Sequence, residues 1–325
     1  MNWREKIILL TGGTGSFGQK FTEVMLEEHN PKAIRIFSRD ELKQSEMVQK
    51  FNNNSRLRFF IGDVRDKSRL SRAMDSVDIV VHAAALKQVP TCEYNPFEAI
   101  ATNIIGSQNV IDVAIDNNVE KVMGISTDKA VNPINLYGAT KMCMEKIIID
   151  SNSYVGSKRK TRLGCVRYGN VVGSRGSVIP LFKKQNSSGE VTITDERMTR
   201  FWISLERGVK FVIKCIDIMK GGEIFIPKIP SMKIIDLKKV IAPDCKIKYI
   251  GIRPGEKINE ILLTEEEAKH SVEFDNFFII KPEHSWWKYG NWKEGKTLPE
   301  GFRYTSDTNK EWLTGSQLKE VVENL

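Results

Sequence analysis

Long apolar runs are missing from this 325-residue sequence. The longest candidate, residues 77–86, is interrupted by Asp78 and His82, and it falls far short of the roughly 20 apolar residues that span a bilayer. The first residues pass at once into an apolar strand pattern and lack the form of a cleavable secretory leader. No membrane partner is expected, and a cytoplasmic setting follows. Cysteine is scarce: Cys92, Cys143, Cys165, Cys215 and Cys245 are scattered along the chain. An odd, dispersed set suits reduced thiols and argues against a disulfide framework. The four histidines are equally dispersed, with no metal-ligating spacing, so no metal centre is expected. His82, in an apolar strand, reads as a satisfied core histidine. Internal repeats and low-complexity segments are absent. The net charge of +8 comes from basic residues interleaved with acids, which argues against a nucleic-acid partner. Pockets for phosphate-bearing ligands account for the excess.

What the sequence does contain is a repeated alternation of short apolar strands and helices. Residues 6–11 read as a buried strand running into Thr11-Gly12-Gly13-Thr14-Gly15-Ser16-Phe17-Gly18 and then a helix. Gly12, Gly15 and Gly18 allow a tight turn and a close backbone approach to a pyrophosphate at a helix N-terminus. A second strand, 33–37, ends in Ser38-Arg39-Asp40, with Lys43 one turn on. A hydroxyl and a guanidinium at that strand end suit a 2′-phosphate, which predicts NADP. Asp40 either caps the next helix or reaches the ribose. A third strand, 57–61, precedes Asp63 and Val64, an acid and an apolar wall suited to adenine; Asp66 reads as a helix cap. A fourth, 77–81, opens into Ala83, small enough for a cofactor to lie against, and then Lys87. A helix over 96–117, containing Asn103 and Gly106, is expected to pack across the sheet before a fifth strand, 121–125. This alternation argues an α/β fold with a Rossmann-type doubly wound parallel sheet. The sixth strand, 162–168, leads to Asn170, and beyond it the period breaks up. The expected division is a dinucleotide-binding domain over 1–169, to which some later segments return, and a smaller substrate-binding lobe over 170–325. In that lobe, Arg200 and the Arg253-Pro254-Gly255-Glu256 turn could grip a diphosphate. The tail with Trp286, Trp287, Trp292 and Trp312 reads either as a packed extension or as a subunit contact.

The fifth strand delivers Ser126-Thr127-Asp128-Lys129 and, further on, Tyr137 and Lys141. The four-residue spacing puts Tyr137 and Lys141 on one helix face. An ammonium beneath a phenol is expected to lower its pKa toward working pH, giving a base for an alcohol proton.

In order and number, TGGTGSFG, SRDELKQ, GDVRD, HAAALKQVP, STDKAVNPINLYGATK, RYGNVVGSRGSVIP, MTRFWIS, GGEIFIPKIPSMKI and GIRPGEK resemble the signatures of extended short-chain dehydrogenases/reductases. Within that family the sequence is similar to the inverting UDP-N-acetylglucosamine 4,6-dehydratases that open pseudaminic acid synthesis. The likeness runs from residue 7 to about residue 260, and more loosely beyond. It implies a tightly held NADP, a UDP-sugar substrate and a homo-oligomer, expected as a hexamer. Gly12, Gly15, Ser16, Phe17 and Gly18 would line the pyrophosphate, Arg39 and Lys43 the 2′-phosphate, and Asp63 and Val64 the adenine. Tyr137 and Lys141 would serve nicotinamide and ribose, and Lys87, Asn170, Arg253 and Glu256 the substrate. Tyr137 would take the C4 hydroxyl proton, with Thr127 on the same oxygen. Asp128 would be the acid toward O6 and Lys129 the base at C5, where retaining relatives carry Thr-Asp-Glu. To act as a base, Lys129 must be neutral part of the time, and burial is expected to lower its pKa. A nucleotide-sugar 4-epimerase and a non-catalytic NADP-binding regulator are the alternatives. Retention of Thr127, Tyr137 and Lys141 argues against the regulator, and the Asp128-Lys129 pair against the epimerase.

Overall fold

The computed structural model describes residues 1–156, 158–172, 178–283 and 292–323. Strands β1 (Ile7–Thr11), β2 (Ala33–Ser38), β3 (Leu57–Ile61), β4 (Ile79–His82), β5 (Lys121–Thr127) and β6 (Arg162–Tyr168) lie parallel, in spatial order 3-2-1-4-5-6. Central β1 is covered on both faces, and Ile8, Leu9 and Leu10 are buried. That burial is why its sequence is a continuous apolar run and not an alternation. Each crossover carries a helix: α1 (Ser16–Val24), α2 (Glu41–Lys50), α3 (Lys67–Met74), then α4 (Val89–Tyr94), α5 (Pro96–Ile100) and α6 (Gly106–Asp116), and finally α7 (Leu136–Asp150). Asp40 caps α2 by accepting from Lys43 N at 3.0 Å, and Asp66 caps α3 from Arg69 N at 2.9 Å. Both carboxylates also favour the positive helix end.

The helix expected over 96–117 is not a uniform α-helix. A π-helical turn, Ala101–Ile105, separates α5 from α6. It places Asn103 so that its amide brackets Leu86, accepting from Leu86 N at 2.8 Å and donating to Leu86 O at 2.9 Å. The same amide donates to Thr140 Oγ1 on α7 at 3.0 Å. The loop after β4 is thereby tied to the helix that carries Tyr137.

After β6 the chain weaves between two cores. β7 (Asn170–Val171), β9 (Thr199–Ile203) and β11 (Ser231–Lys233) form a small sheet, while β8 (Glu190–Ile193) pairs with β12 (Lys246–Tyr249). With α8 (Val178–Asn186) and α10 (Ile234–Ile241) these elements build a second core around Phe182, Ile193, Trp202 and Leu237. In contrast, α9 (Leu205–Ile218) packs on α1, and β10 (Ile224–Pro227) extends the parallel sheet beside β6. Antiparallel β15 (Phe277–Ile280) and β14 (Ser271–Glu273) continue it. Trp292 is packed extension: its indole N–H donates to Glu223 Oε1 at 3.1 Å. Trp286 and Trp287, like Gly173, lie outside the described residues. Among the described residues no helix is long and apolar enough to cross a membrane, and no acid, histidine or cysteine cluster could hold a metal.

Candidate active site

The carboxyl ends of β1, β4, β5 and β6 converge on one cavity of ≈ 1020 Å³, the place where open parallel sheets bind ligands. Its floor is the glycine turn. Gly12 has φ +66°, and a Cβ there would stand 2.9 Å from the backbone of Ala84. At Gly18 a Cβ would meet Gly13 O at 2.3 Å. Only glycine lets α1 start this close to the sheet, and α1 has no side-chain cap at Gly15. Its first N–H groups are therefore left for an anion. The residues present fit a dinucleotide pyrophosphate.

Beneath this floor His82 is fixed between Thr11 Oγ1 at 2.7 Å and Ser107 Oγ at 2.9 Å. Burial, with Lys141 adding to it, draws its pKa down to about 3. It is the satisfied core histidine that its apolar neighbours suggested.

The catalytic stretch is built from the end of β5. Thr127 Oγ1 donates to Asp128 Oδ1 at 2.9 Å, and the Lys129 ammonium lies 3.0 Å from the same oxygen. Asn135 caps α7 by accepting from Gly138 N at 2.8 Å, while its amide donates to Gly255 O at 2.8 Å. Gly138 has no room for a side chain, since a Cβ would sit 2.2 Å from Lys129 O. That contact seats α7 against the turn carrying Asp128 and Lys129. It brings Tyr137 to the same cavity wall as Thr127.

Two electrostatic expectations are corrected. Burial pushes the Tyr137 phenol up to about 12; Lys129 and the Thr127 hydroxyl oppose this, and Asp128 reinforces it. The Lys141 Nζ donates to Ile125 O at 2.6 Å and to Met144 Sδ at 2.9 Å. Burial lowers Lys141 itself to about 8. Lys129 also departs from expectation. Burial favours its neutral form, but Asp128 and Glu260 outweigh burial and raise its pKa above the usual lysine value. The pull of two buried anions is stronger than the desolvation of one cation.

Of the residues expected from sequence, Gly12, Gly15, Ser16, Phe17, Lys43, Ala83, Lys87, Thr127, Lys129, Tyr137, Lys141, Asn170, Arg253 and Glu256 line the cavity. Gly18, Ser38, Arg39, Asp63, Val64 and Asp128 do not. Gly18 and Val64 act by packing, Val64 against Gly106. Ser38 Oγ accepts from Gln44 at 3.1 Å. Arg39, half exposed, lies 3.5 Å from Asp63. Partial burial would raise the Asp63 carboxyl, but hydrogen bonds from Arg65 hold it below its usual value. Asp128 is fully buried behind Lys129. Arg200 lines the cavity, yet its guanidinium donates to Thr199 O, Ile258 O and Lys257 O at 2.7, 2.8 and 2.9 Å. It clamps the segment before Glu260 more than it offers a free grip. Glu260, buried 3.5 Å from Lys129, and Gly138 are the residues the sequence reading missed. An acid soon after the Arg-Pro-Gly-Glu turn was the available signal for Glu260.

A glycine-cradled dinucleotide cleft with Thr, Tyr and Lys converging above it defines an extended short-chain dehydrogenase/reductase. The family described as polysaccharide biosynthesis protein matches residues 8–282. The UDP-N-acetylglucosamine 4,6-dehydratase (inverting) of Campylobacter jejuni subsp. jejuni serotype O:2 is 53% identical over 329 residues, covering 98% of this chain and 98% of its own. The UDP-glucose 4-epimerase of Rickettsia canadensis is 45% identical over 284 residues, covering 85% of this chain and 83% of its own. Among solved structures, Pen from Bacillus thuringiensis has a TM-score of 0.90 at 38% identity, with 100% of both chains covered. The chain belongs to the polysaccharide biosynthesis protein family, within the extended short-chain dehydrogenases/reductases.

Proposed function

We propose that this chain is a C5-inverting UDP-N-acetylglucosamine 4,6-dehydratase, a hydro-lyase at the entry to pseudaminic acid or a related glycan. The observation that carries this reading is the convergence of Thr127, Lys129 and Tyr137 on one cavity above the glycine cradle, with Asp128 hydrogen-bonded behind them. When bound, a nicotinamide dinucleotide supplies the hydride acceptor for C4, the donor for C6 and, while oxidised, a positive charge beside the Tyr137 phenol. The α1 N-terminus with Gly12, Gly15 and Ser16 would hold its pyrophosphate. Arg39 and Lys43 would take a 2′-phosphate, which favours NADP, and Asp63 and Val64 would border the adenine.

Tyr137 takes the C4 hydroxyl proton while Thr127 holds the same oxygen. The C4 ketone acidifies the neighbouring C5–H. Lys129, having passed its ammonium proton to Asp128 at 3.0 Å, removes the C5 proton as the free amine. Asp128 delivers the proton it received to O6, and water leaves across C5 and C6. Lys87, Asn170, Arg253 and Glu256 line the cavity where the UDP-sugar would lie. The Rickettsia relative favours a second reading, a 4-epimerase, which needs no acid–base pair for C6. Asp128 and Lys129 are what set the dehydratase reading above it.

The test is incubation of the NADP-loaded protein with UDP-N-acetylglucosamine. The expected product has lost one water and carries a C6 methyl group. Tyr137→Phe should slow its formation about 10²–10⁴-fold. A C4 epimer with its C6 hydroxymethyl intact would replace this reading with the epimerase. The proposal includes a homo-oligomer, a hexamer, in a cytoplasmic setting; a monomer in light scattering would remove the first of these.

A further inference from the structure

One side-chain amide joins the turn expected to hold the nucleotide to the helix of Tyr137. Asn135 and Gly255 are 120 residues apart in sequence, and Asn135 Nδ2 donates to Gly255 O at 2.8 Å. The other end of the same amide caps α7, with Oδ1 accepting from Gly138 N at 2.8 Å. Turn and helix are closely packed as well. Gly255 has φ +78°, and a Cβ there would stand 3.0 Å from Asn135 Cβ and 3.5 Å from Val89 Cγ1. Among the described residues, the bond from Asn135 is the one hydrogen bond that residues 251–256 make outside their own turn. The other, from Glu256 N to Arg253 O at 3.1 Å, is internal. Upstream, Ile250, Ile252 and Arg253 are exposed. Downstream, Arg200 donates to Lys257 O and Ile258 O at 2.9 and 2.8 Å, before the chain enters β13 (Ile261–Leu263).

Capping alone does not call for asparagine. Aspartate and serine cap about as well, and α7 has further support at its start, where Leu136 N donates to Glu93 Oε1 at 2.7 Å. What asparagine adds is a donor beside its acceptor, and here both are used. The turn itself has groups left for a ligand. Arg253 is half exposed, and Glu256 Oε2 is buried with no partner among the described residues; both side chains line the cavity. A UDP-sugar held there by its nucleotide end must present its C4 hydroxyl to Tyr137, two residues from the amide that grips the turn. A misplacement of about 1 Å between such groups can cost about 10²-fold in rate.

We propose that Asn135 is a positioning residue: it sets the nucleotide-holding turn in register with α7, so that a sugar held by its nucleotide is presented to Tyr137. Asn135 does not line the cavity. It acts through Gly255 O on one side and Gly138 N on the other. This rests on the proposed reading that the turn takes the UDP-sugar, and it holds for a dehydratase and an epimerase alike.

The test uses two variants that cap α7 but cannot tie it to the turn. Asn135→Asp keeps an oxygen for Gly138 N and sets another against Gly255 O. Asn135→Ser caps without a charge and is too short to span both partners. In the NADP-loaded wild type, UDP alone should slow amide hydrogen exchange in residues 251–257 and also in the first turn of α7. In both variants the protection should remain on the turn and be lost from α7. With UDP-N-acetylglucosamine, kcat should fall about 10²-fold in both, while the Kd of UDP moves far less. A residue that only caps would leave both variants at the wild-type rate. Variants that keep the wild-type kcat, or in which UDP still protects α7, overturn the proposal, and either variant carries the test if the other does not fold. A wild type in which UDP leaves residues 251–257 unprotected overturns it as well, since the turn then holds no nucleotide. If UDP protects α7 through Asn135 but no C6-methyl product forms, the tie stands and the dehydratase reading falls.

Discussion

His82 shows how a titratable side chain can be structural inside an active-site fold. In the unfolded chain it would bind a proton near its ordinary 6.5, and in the folded chain only near about 3. Between those values the unfolded state holds more protons, so stability is fully present above about pH 6.5 and falls as the solution is acidified. The contribution is at most on the order of 5 kcal/mol. Thermal unfolding midpoints should therefore fall from pH 7 to pH 5, and His82→Asn should lose part of that slope while being less stable at pH 7. An unchanged slope would show that other groups set it. The neutral, buried state of His82 was legible because its flanking residues are all apolar. The charge state of Lys129 was not, because its second counter-ion, Glu260, is remote in sequence and no local spacing announces it. Tyr137 and Lys141 were legible as a pair from helical periodicity. Periodicity places side chains on a face, however, and does not say that Lys141 turns its amine to Ile125 O.

At the scale of elements, the site depends on close approaches that only glycine permits. Gly138→Ala would set a methyl 2.2 Å from Lys129 O and displace either α7 or the Asp128–Ala130 turn. The expected cost is about 1–3 kcal/mol in stability and about 10²-fold in kcat, since a shift of about 1 Å disturbs the alignment of reacting groups. Urea denaturation with steady-state kinetics checks both, and full activity would show that the turn adapts. Gly18→Ala, 2.3 Å from Gly13 O, should instead weaken NADP binding, measurable as cofactor lost on gel filtration. The glycine turn was readable because its spacing recurs in strand–turn–helix context. The π-helical turn at 101–105 was not, because one extra residue per turn leaves the apolar pattern almost continuous.

The whole molecule is held together by a chain that repeatedly crosses between its two cores. Arg167 on β6 lies fully paired within the interior, 2.7 Å from Glu145 on α7 and 2.8 Å from Glu267. It also donates to Leu262 O at 2.9 Å, two residues after Glu260. Removing one partner of a buried pair strands the others, so Arg167→Ala should cost about 3–5 kcal/mol. A loss under 1 kcal/mol in urea titration would show that the network is not structural. The parallel half of the sheet was legible from its regular βα period. The return of β10, β14 and β15 was not assignable in detail, because strands of three or four residues carry too little pattern to register. The central claim, that this cavity eliminates water across C5 and C6 after oxidation at C4, is tested most directly by proton NMR of the product made in D₂O. The account predicts a C6 methyl group, deuterium at C5 and inversion at that carbon. A product with its C6 hydroxymethyl intact and no deuterium at C5 would contradict it.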